Sequence, residues 1–545
     1  MRDYFTASLH AAPTYRIGEP ITITFELTNT AEQDVRILEW DTPLEGEVLA
    51  YFEVRHEGEI VPYDGRFLKR GDPEESSYRL VRAGETVADT IDLTTAYPIA
   101  QPGQYTVTLA AHVLDAIPQG EEVVTKRTRS RQEGFELDRL SVTFEVVGDG
   151  EARPTVAEKI RRDLRHEESH RVADTSPKLS PREPVINGGD DAARRQTRTA
   201  HENAGVFAET VMRQLDWTPG AANALYQEWM GAFDTGRHAI VRQHFADSCS
   251  VVTGQTVTYD LSGTGCTPGT FAYTYKNTRK IWLCSQFWPA PATGVDSKFG
   301  TMVHELSHAV SSTDDVVYGQ VNARALAASN PADAIRNADN HEYFAETLAE
   351  RVVTAPVVWN NGKAYFFVAG NYYRYDIAID KVDPGYPLPI EGNWGGLFPD
   401  RVDAGVMWPN GKAYFFRGSE YVRYDVAADQ ADPGYPLPIN PNWPGLWADG
   451  IDAGVVWPNG KAYFFRGSEY VRYDVAADQA DPGYPLPINP NWPGLWPADL
   501  TGGVVWNDTK AYFFRGAEYV RYDISADQVD PGYPLPVDPY WPGLP

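Results

Sequence analysis

Residues 299–310 of this 545-residue sequence read Phe-Gly-Thr-Met-Val-His-Glu-Leu-Ser-His-Ala-Val, the most informative stretch in the chain. Its apolar residues recur at intervals of three and four, as they do on one face of an α-helix. The residues on this face are Phe299, Met302, Val303, Leu306, Ala309 and Val310. The spacing predicts an amphipathic helix that packs into a hydrophobic core.

The predicted helix carries His304-Glu305-Leu306-Ser307-His308. Residues four apart lie on the same side of a helix, so both imidazoles can reach one zinc ion, and Glu305 can act as general base toward a water molecule at that ion. A catalytic zinc needs a third protein ligand, and four residues downstream are candidates: Asp314, Asp315, His341 and Glu342. The pattern therefore predicts a zinc-dependent hydrolase.

The five-residue pattern alone is weak evidence, because it occurs again at His166-Glu167-Glu168-Ser169-His170. This second copy is surrounded by charged residues and has little apolar surface to hold it rigidly. We therefore expect it to lie in a solvated linker rather than in a metal site.

The composition excludes several classes of protein. A formal net charge of −27 argues against binding to a nucleic-acid backbone. No apolar run reaches the roughly 18 residues of a spanning helix, and no secretory signal is expected within this chain. Three cysteines, Cys249, Cys266 and Cys284, exclude a disulfide framework and leave one bridge possible.

The chain is predicted to be multidomain, with four successive regions. Residues 1–148 alternate polar and apolar side chains, as in Ile21–Leu27, which predicts a β-sandwich. Residues 149–198 are highly charged and predict a linker that could be helical in part. Residues 199–352 contain the motif helix and predict a mainly α-helical, zincin-type catalytic domain.

Residues 353–545 consist of four repeats, which open at Trp359, Trp408, Trp457 and Trp506, 49 residues apart. Short β-rich runs between Pro and Gly turns are typical of propeller blades. The repeats resemble the haemopexin family of four-bladed β-propellers, notably at Asp403-Ala404 and Asp452-Ala453. The resemblance implies a recognition surface and a possible Ca²⁺ or Na⁺ ion in the channel, but the outer repeats have Thr354-Ala355 and Thr501-Gly502 instead.

The stretch from Arg237 to Glu346 resembles the aspzincin zinc metallopeptidases, most closely the peptidyl-lysine metalloendopeptidases. The resemblance rests on several segments: Gly269–Tyr273, Trp282–Cys284, Gly300–Val303, Ser312–Asp315, Tyr318–Gln320 and Asn337–Phe344. In that family the third zinc ligand is an aspartate three positions before a Tyr-Gly pair, which selects Asp315 over Asp314. The family tyrosine maps to Tyr318, which would donate a hydrogen bond to the developing oxyanion, unless it is a core tyrosine.

The resemblance also implies the substrate preference. Asp339 and Glu342 map onto the acidic pair that receives the ammonium group of a lysine following the scissile bond. Their alternative interpretation is a capping box at the start of a helix. Cys266 and Cys284 fall where the relatives have a disulfide bond, which leaves Cys249 free and indicates an oxidising compartment.

We therefore expect a secreted zinc endopeptidase that cleaves on the amino side of lysine in proteins or peptides. The N-terminal region resembles the propeptides of fungal relatives at Ile60–Gly65, which implies a zymogen whose N-terminal region inhibits or chaperones the protease, with Lys178 as a candidate self-cleavage point. The alternative for this region is a simple scaffold role. The rival hypothesis is a propeller-based binding protein whose protease domain is inactive or weakly active.

Overall fold

The computed structural model describes residues 4–71, 73–109, 112–118, 135–169, 181–218 and 223–545. His170 and Lys178, singled out in the sequence, lie outside these ranges. In the described part of the N-terminal region the strands are β1 (Phe5–Ala11), β2 (Thr14–Arg16), β3 (Thr22–Asn29), β4 (Val35–Leu38), β5 (Phe52–His56), β6 (Glu59–Val61), β7 (Arg66–Arg70), β8 (Tyr78–Val81), β9 (Thr86–Asp92), β10 (Gly103–Leu109), β11 (His112–Val113), β12 (Ala116–Pro118), β13 (Phe135–Glu136) and β14 (Leu140–Val147).

Most of the N-terminal strands pack around one hydrophobic core, which also includes Tyr273, Tyr275 and Trp282 of the following domain. Strand β3 lies between β1 and β9, and β14, β10 and β5 form the centre of a second sheet. Along β3, the buried side chains of Ile23, Phe25 and Leu27 alternate with more exposed residues, as expected for a strand with one face on a core. The region is strand-rich, as predicted, while the packing of its sheets as a sandwich stays a prediction.

Strand β7 contributes Leu68 to this core but pairs with the sheet of the following domain. That sheet has the order β15-β16-β18-β17-β7 and contains β15 (Val185–Asn187), β16 (Thr258–Asp260), β17 (Thr270–Tyr275) and β18 (Lys280–Leu283). Strand β7 pairs antiparallel with β17. The N-terminal region therefore contributes an edge strand to the central sheet, which the predicted division into separate domains did not include.

The helices of the linker and central domain are α1 (Val156–Ser169), α2 (Asp191–Trp217), α3 (Ala224–Met230), α4 (Thr235–Gly254), α5 (Lys298–Ser311), α6 (Gln320–Ser329), α7 (Pro331–Ala334) and α8 (Ala338–Ala349). Helix α2 crosses the predicted boundary between residues 198 and 199. Its start is capped by Asp190, whose side chain accepts a hydrogen bond from the amide of Ala193. The first turns are mostly exposed and carry no apolar stripe, so the sequence resembled a linker there.

The second His-Glu-x-x-His copy begins near the end of α1. His166 is exposed there. Within the described ranges, no converging group of metal-ligating side chains includes His166. Its position agrees with the expected solvated segment.

The C-terminal repeats each form a five-stranded sheet. The strands are β19 (Thr354–Val358), β20 (Lys363–Val368), β21 (Asn371–Asp376), β22 (Lys381–Val382) and β23 (Leu388–Pro389); β24 (Ala404–Met407), β25 (Lys412–Arg417), β26 (Glu420–Asp425), β27 (Gln430–Ala431) and β28 (Leu437–Pro438); β29 (Ala453–Val456), β30 (Lys461–Arg466), β31 (Glu469–Asp474), β32 (Gln479–Ala480) and β33 (Leu486–Pro487); and β34 (Gly502–Asn507), β35 (Lys510–Arg515), β36 (Glu518–Asp523), β37 (Gln528–Val529) and β38 (Leu535–Pro536). Short helical segments follow the last three sheets: α9 (Ile439–Asn442), α10 (Ile488–Asn491) and α11 (Val537–Tyr540).

Side chains of helix α2, in the central domain, contact the C-terminal repeats. The side-chain amide of Asn203 donates to Asp400 over 3.0 Å, and the indole N–H of Trp217 donates to Asp499 over 3.3 Å. The guanidinium of Arg515 lies 5.1 Å from the Trp217 ring centre. These polar contacts fix the repeats against one face of the central domain. Among the described residues, no helix is both long enough and apolar enough to cross a membrane.

Buried His201 makes the packing of α2 sensitive to acid. Its Nε2 donates to the carbonyl oxygen of Arg182 over 3.0 Å, so its Nδ1 accepts from the Tyr259 hydroxyl at 2.9 Å. Burial lowers the pKa of His201 to about 4, below the roughly 6.5 of an unfolded chain. The neutral ring therefore stabilises the fold fully above pH ~6.5, and this contribution is lost as the pH falls toward ~4.

We expect the wild type to lose about 3 kcal/mol of unfolding free energy between these pH values relative to His201→Gln, which cannot titrate. Urea unfolding at several pH values measures this difference. The control is His10→Gln, since the His10 side chain is 59% exposed. A difference between wild type and His201→Gln that does not change with pH would contradict the prediction.

Candidate metal centre and adjoining cleft

Helix α5 is the framework of the site. Ser297 caps the helix by accepting a hydrogen bond from the amide of Gly300. Met302 and Leu306 are buried in the central hydrophobic core, as the apolar spacing predicted. Gly300 allows α8 to approach closely, because a Cβ at this position would lie 2.0 Å from Oε1 of Glu346. This packing fixes the orientation of the polar face of α5.

Three ligand-type atoms converge beside α5. The Nε2 atoms of His304 and His308 lie 3.1 Å apart. Oδ1 of Asp315 lies 3.2 Å from each of them. Both imidazoles are fully buried, and the Asp315 side chain is 11% exposed. The structure thus brings together the three residues expected to hold zinc.

In each imidazole, Nδ1 faces away from the three converging atoms and lies close to a hydrogen-bond acceptor. Nδ1 of His308 lies 2.9 Å from the carbonyl oxygen of Thr313, which can only accept, so Nδ1 is the protonated nitrogen. Nδ1 of His304 lies 2.9 Å from Oδ1 of Asp339 and 3.3 Å from Oε2 of Glu342. When a cation binds, each ring can therefore keep its proton on Nδ1 and offer the lone pair of Nε2 beside the Asp315 carboxylate. Two imidazoles and one carboxylate at these separations suit a tetrahedral zinc ion.

The charges around the site are those of a cation-binding centre. Burial alone would raise the pKa of Asp315, but His308 and His304 hold it well below its ordinary value. Burial would lower the pKa of His304, but hydrogen bonding to Asp315, Asp339 and Glu342 raises it well above the usual value. The donor set therefore carries an excess of negative charge, which a divalent cation would balance.

Of the other candidates for a third ligand, Glu342 converges with Asp339 on Nδ1 of His304 rather than on the Nε2 atoms, and two lie elsewhere. Asp314 pairs with Lys276 and Arg336. His341 is buried, with its Nδ1 3.0 Å from the carbonyl oxygen of Asn337. Burial lowers the pKa of His341 to about 3.

Glu305 is buried next to the three converging atoms. Its Oε1 accepts a hydrogen bond from the backbone amide of Lys69 over 3.2 Å. Its Oε2 has no hydrogen-bond partner among the described residues. Burial raises the pKa of Glu305 to about 8, so this carboxyl can exchange a proton near neutral pH.

A fully buried lysine occupies the cavity beside the metal ligands. Nζ of Lys69 lies 2.7 Å from Oε1 of Glu342 and 3.1 Å from Oδ1 of Asp296. The ammonium group also lies 5.2 Å from the ring centre of Phe271 and 5.6 Å from that of Tyr343. Carboxylates and aromatic rings therefore surround the buried ammonium group of Lys69.

Sequence reasoning found Asp339 and Glu342 but missed Lys69 and Asp296. Asp296 is in the left-handed region, with φ of 51°, and its carboxylate accepts a hydrogen bond from the Tyr343 hydroxyl over 2.9 Å. Only a weak pattern marks Lys69 in the sequence: it is one of two lysines in the first 148 residues, and it follows Phe-Leu.

The capping-box interpretation of the acidic pair is wrong. The N-cap of α8 is Asn337, so Asp339 lies inside the helix. Oδ2 of Asp339 accepts a hydrogen bond from the amide of Gly319 over 2.5 Å. The Glu342 side chain is fully buried against Lys69 and His304.

Tyr318 is half-buried at the start of α6, next to the strand that carries Lys69. Burial would lower the pKa of Arg70, but Glu45 and then Tyr318 raise it. Tyr318 therefore lies near Arg70, the residue that follows Lys69. Its role toward an oxyanion stays a prediction.

The disulfide bond between Cys266 and Cys284 is present, with Cα atoms 5.5 Å apart, and Cys249 is free. The bond joins the segments before β17 and after β18. In the described part of the repeats, no three His, Cys, Asp or Glu side chains converge on one point. Asp403 and Asp452 instead accept hydrogen bonds from the amides of Gly418 and Gly467. The expected channel ion is therefore not supported.

Comparison with known proteins yields two family matches. Residues 218–346 match the family described as lysine-specific metallo-endopeptidase. Residues 353–397, 402–448, 451–497 and 503–545 match the haemopexin family.

The relatives of this chain include three proteases. An extracellular protease of Aeromonas hydrophila is 32% identical over 346 residues, which are 60% of this chain and 88% of the relative. A peptidyl-Lys metalloendopeptidase of Grifola frondosa is 32% identical over 50% of this chain and 70% of its own length. The peptidyl-Lys metalloendopeptidase of Pleurotus ostreatus is 42% identical over 28% of this chain and 93% of its own length.

The two His-Glu-x-x-His copies provide a matched test of metal binding. We expect His308→Ala to weaken zinc binding by more than about 100-fold, because loss of even an outer-shell partner costs about 10- to 100-fold. Competition with a chromogenic chelator measures the affinity, and elemental analysis gives the stoichiometry. His166→Ala should leave both unchanged. Equal losses in the two variants would contradict the site.

Proposed function

Because the chain belongs to the aspzincin family of zinc metallopeptidases, we propose that it is an endopeptidase that hydrolyses peptide bonds on the amino side of lysine. The Grifola and Pleurotus relatives, both named peptidyl-Lys metalloendopeptidase, support this preference. We further propose that its substrates are extracellular proteins or peptides that contain lysine. The disulfide bond and the name of the Aeromonas relative support an extracellular location.

The observation that carries the lysine preference is the buried ion pair of Lys69. Its ammonium group contacts Glu342 and Asp296, and Glu342 also lies 3.3 Å from His304. A desolvated cation is stabilised there only if opposite charges surround it. A lysine side chain of a substrate would meet the same carboxylates, whereas a neutral side chain would leave them unpaired.

The proposed chemistry assigns one role to each group. His304, His308 and Asp315 would hold the zinc ion, which supplies a Lewis acid and makes water a better nucleophile. Glu305 would accept a proton from the attacking water and deliver it to the backbone nitrogen of the substrate lysine as the peptide bond breaks. The 3.2 Å hydrogen bond from the Lys69 amide to Glu305 illustrates this placement. Tyr318 would donate a hydrogen bond to the oxyanion.

We also propose that the protein is made as a zymogen and that the repeats recognise substrates or partners. The first proposal rests on the N-terminal strand that lies in the cleft. The second rests on the haemopexin match, and contact between β19 and β34 supports closure of the four sheets into a propeller. The rival hypothesis of an inactive protease domain has no support, since ligands and base are together beside α5.

The first test is a long digest of a denatured protein by the full-length chain, with the new termini identified by mass spectrometry. Fragments should begin with lysine, and they should disappear with a chelator or in Glu305→Ala. The termini report specificity whatever fraction of the enzyme is active. Cleavage before other residues would contradict the lysine preference, and activity in Glu305→Ala would contradict the chemistry.

The second test changes the charge of the pocket. We expect Glu342→Gln to lower the ratio of kcat/KM for a lysine peptide over its alanine counterpart by about 30-fold or more, because a desolvated charge pair is lost. The ratio is independent of the fraction of enzyme whose cleft is open. Glu350→Gln, an exposed change at the end of α8, should leave it unchanged. An unaltered ratio in Glu342→Gln would exclude this residue from the pocket.

A further inference from the structure

Strand β7 is an edge strand of the central sheet and pairs with β17. Without it, β17 would be the edge strand beside the metal ligands. The pairing is antiparallel, with Phe67 opposite Thr274 and Leu68 opposite Tyr273. An extended peptide commonly binds an exposed sheet edge in this way. The position of β7 is therefore one that a substrate backbone would take.

Three consecutive residues of β7 contact the candidate catalytic groups. The Phe67 ring stacks on the imidazole of His308, with centres 4.7 Å apart. The amide of Leu68 donates to Oδ2 of Asp315 over 3.1 Å. The amide of Lys69 donates to Glu305. The Leu68–Lys69 peptide bond thus lies between the ligand set and the general base.

The side chain of Lys69 completes the resemblance to a substrate. It fills the acidic cavity, is fully buried and pairs with Glu342 and Asp296. These two carboxylates and Asp339 raise the pKa of Lys69 above its ordinary value, although burial opposes the shift. Under the proposed function, the lysine side chain of a substrate would bind in this cavity.

The N-terminal region anchors β7 on both sides of Lys69. One terminal nitrogen of buried Arg70 donates to both carboxylate oxygens of Glu45, at 2.9 and 2.6 Å, and the guanidinium lies 4.7 Å from the Trp40 ring centre. Arg66 lies 3.2 Å from Glu47 and donates to the carbonyl oxygen of Gly265 over 2.6 Å. Glu45, Glu47 and Trp40 belong to the same region as β7, so the strand is held rigidly in the cleft.

We propose that Arg66–Arg70 is a built-in substrate mimic, with Lys69 in the lysine pocket, and that it closes the site to other peptides until the N-terminal region leaves. The inference rests on the proposed lysine preference. It also assigns β17 as the strand on which substrate backbones bind, and Asp296 as a third carboxylate of the pocket.

The test measures binding rather than turnover. The full-length chain carries Glu305→Gln and is saturated with zinc, so that it binds peptides without cleaving them. Fluorescence anisotropy compares a labelled peptide containing one lysine with its alanine counterpart. Adding Lys69→Ala should tighten binding of the lysine peptide roughly tenfold or more, because the open fraction sets the apparent affinity. Arg36→Ala, a half-exposed change in the N-terminal region, should have no effect.

A second variant protects the test against misfolding. Lys69→Met keeps the apolar stem of the side chain and removes only the charge, so it should also tighten binding of the lysine peptide. In the chain with Lys69 intact, an excess of this peptide should increase hydrogen exchange at the amides of residues 66–70, while the alanine peptide should not.

The outcomes separate this inference from the proposed function. Unchanged affinity in both Lys69 variants would overturn the mimic, even if the digest shows cleavage before lysine. Tighter but equal binding of the lysine and alanine peptides would show that β7 blocks the cleft and would overturn the lysine preference. Tighter, lysine-selective binding supports both.

Discussion

Buried negative charge around α5 is the constraint on which the site depends. The carboxylates of Glu305, Asp339 and Glu342 are at most 1% exposed, and the Asp315 side chain is 11% exposed. Burying an uncompensated carboxylate costs several kcal/mol. Cations must therefore balance the cluster: His304, His308 and Asp315 form a place for one, and the ammonium group of Lys69 is another.

This requirement connects the candidate metal centre to the proposed lysine pocket. Nδ1 of His304 faces Asp339 and Glu342, while its Nε2 faces Asp315. The pocket carboxylates are thus outer partners of a ligand, which orient the imidazole and raise its basicity. Lys69 and, under the proposed function, a substrate lysine neutralise the same groups. Occupation of the pocket and the charge at the metal centre are therefore coupled.

Much of this arrangement could be predicted where it depends on local patterns. Apolar spacing predicted α5, and alternation predicted the strand-rich regions. Resemblance to known families added Asp315 and the Cys266–Cys284 bond. Long-range pairing was not predictable: β7 looked like any other N-terminal strand, and the polar start of α2 looked like linker. The strand partners of β7 are about 200 residues away, and short-range sequence patterns carry no information about them.

The sequence by itself determined the motif helix, its two histidines and Glu305, because their relative positions follow from helical periodicity alone. It also determined the four repeats, through the regular spacing of their tryptophans. Only the tertiary structure decided that Asp315 lies beside the histidines while Asp314 pairs with Lys276, and that Lys69 fills the acidic pocket. Those outcomes depend on which buried charges meet across separate elements, and this is set by packing rather than by position along the chain.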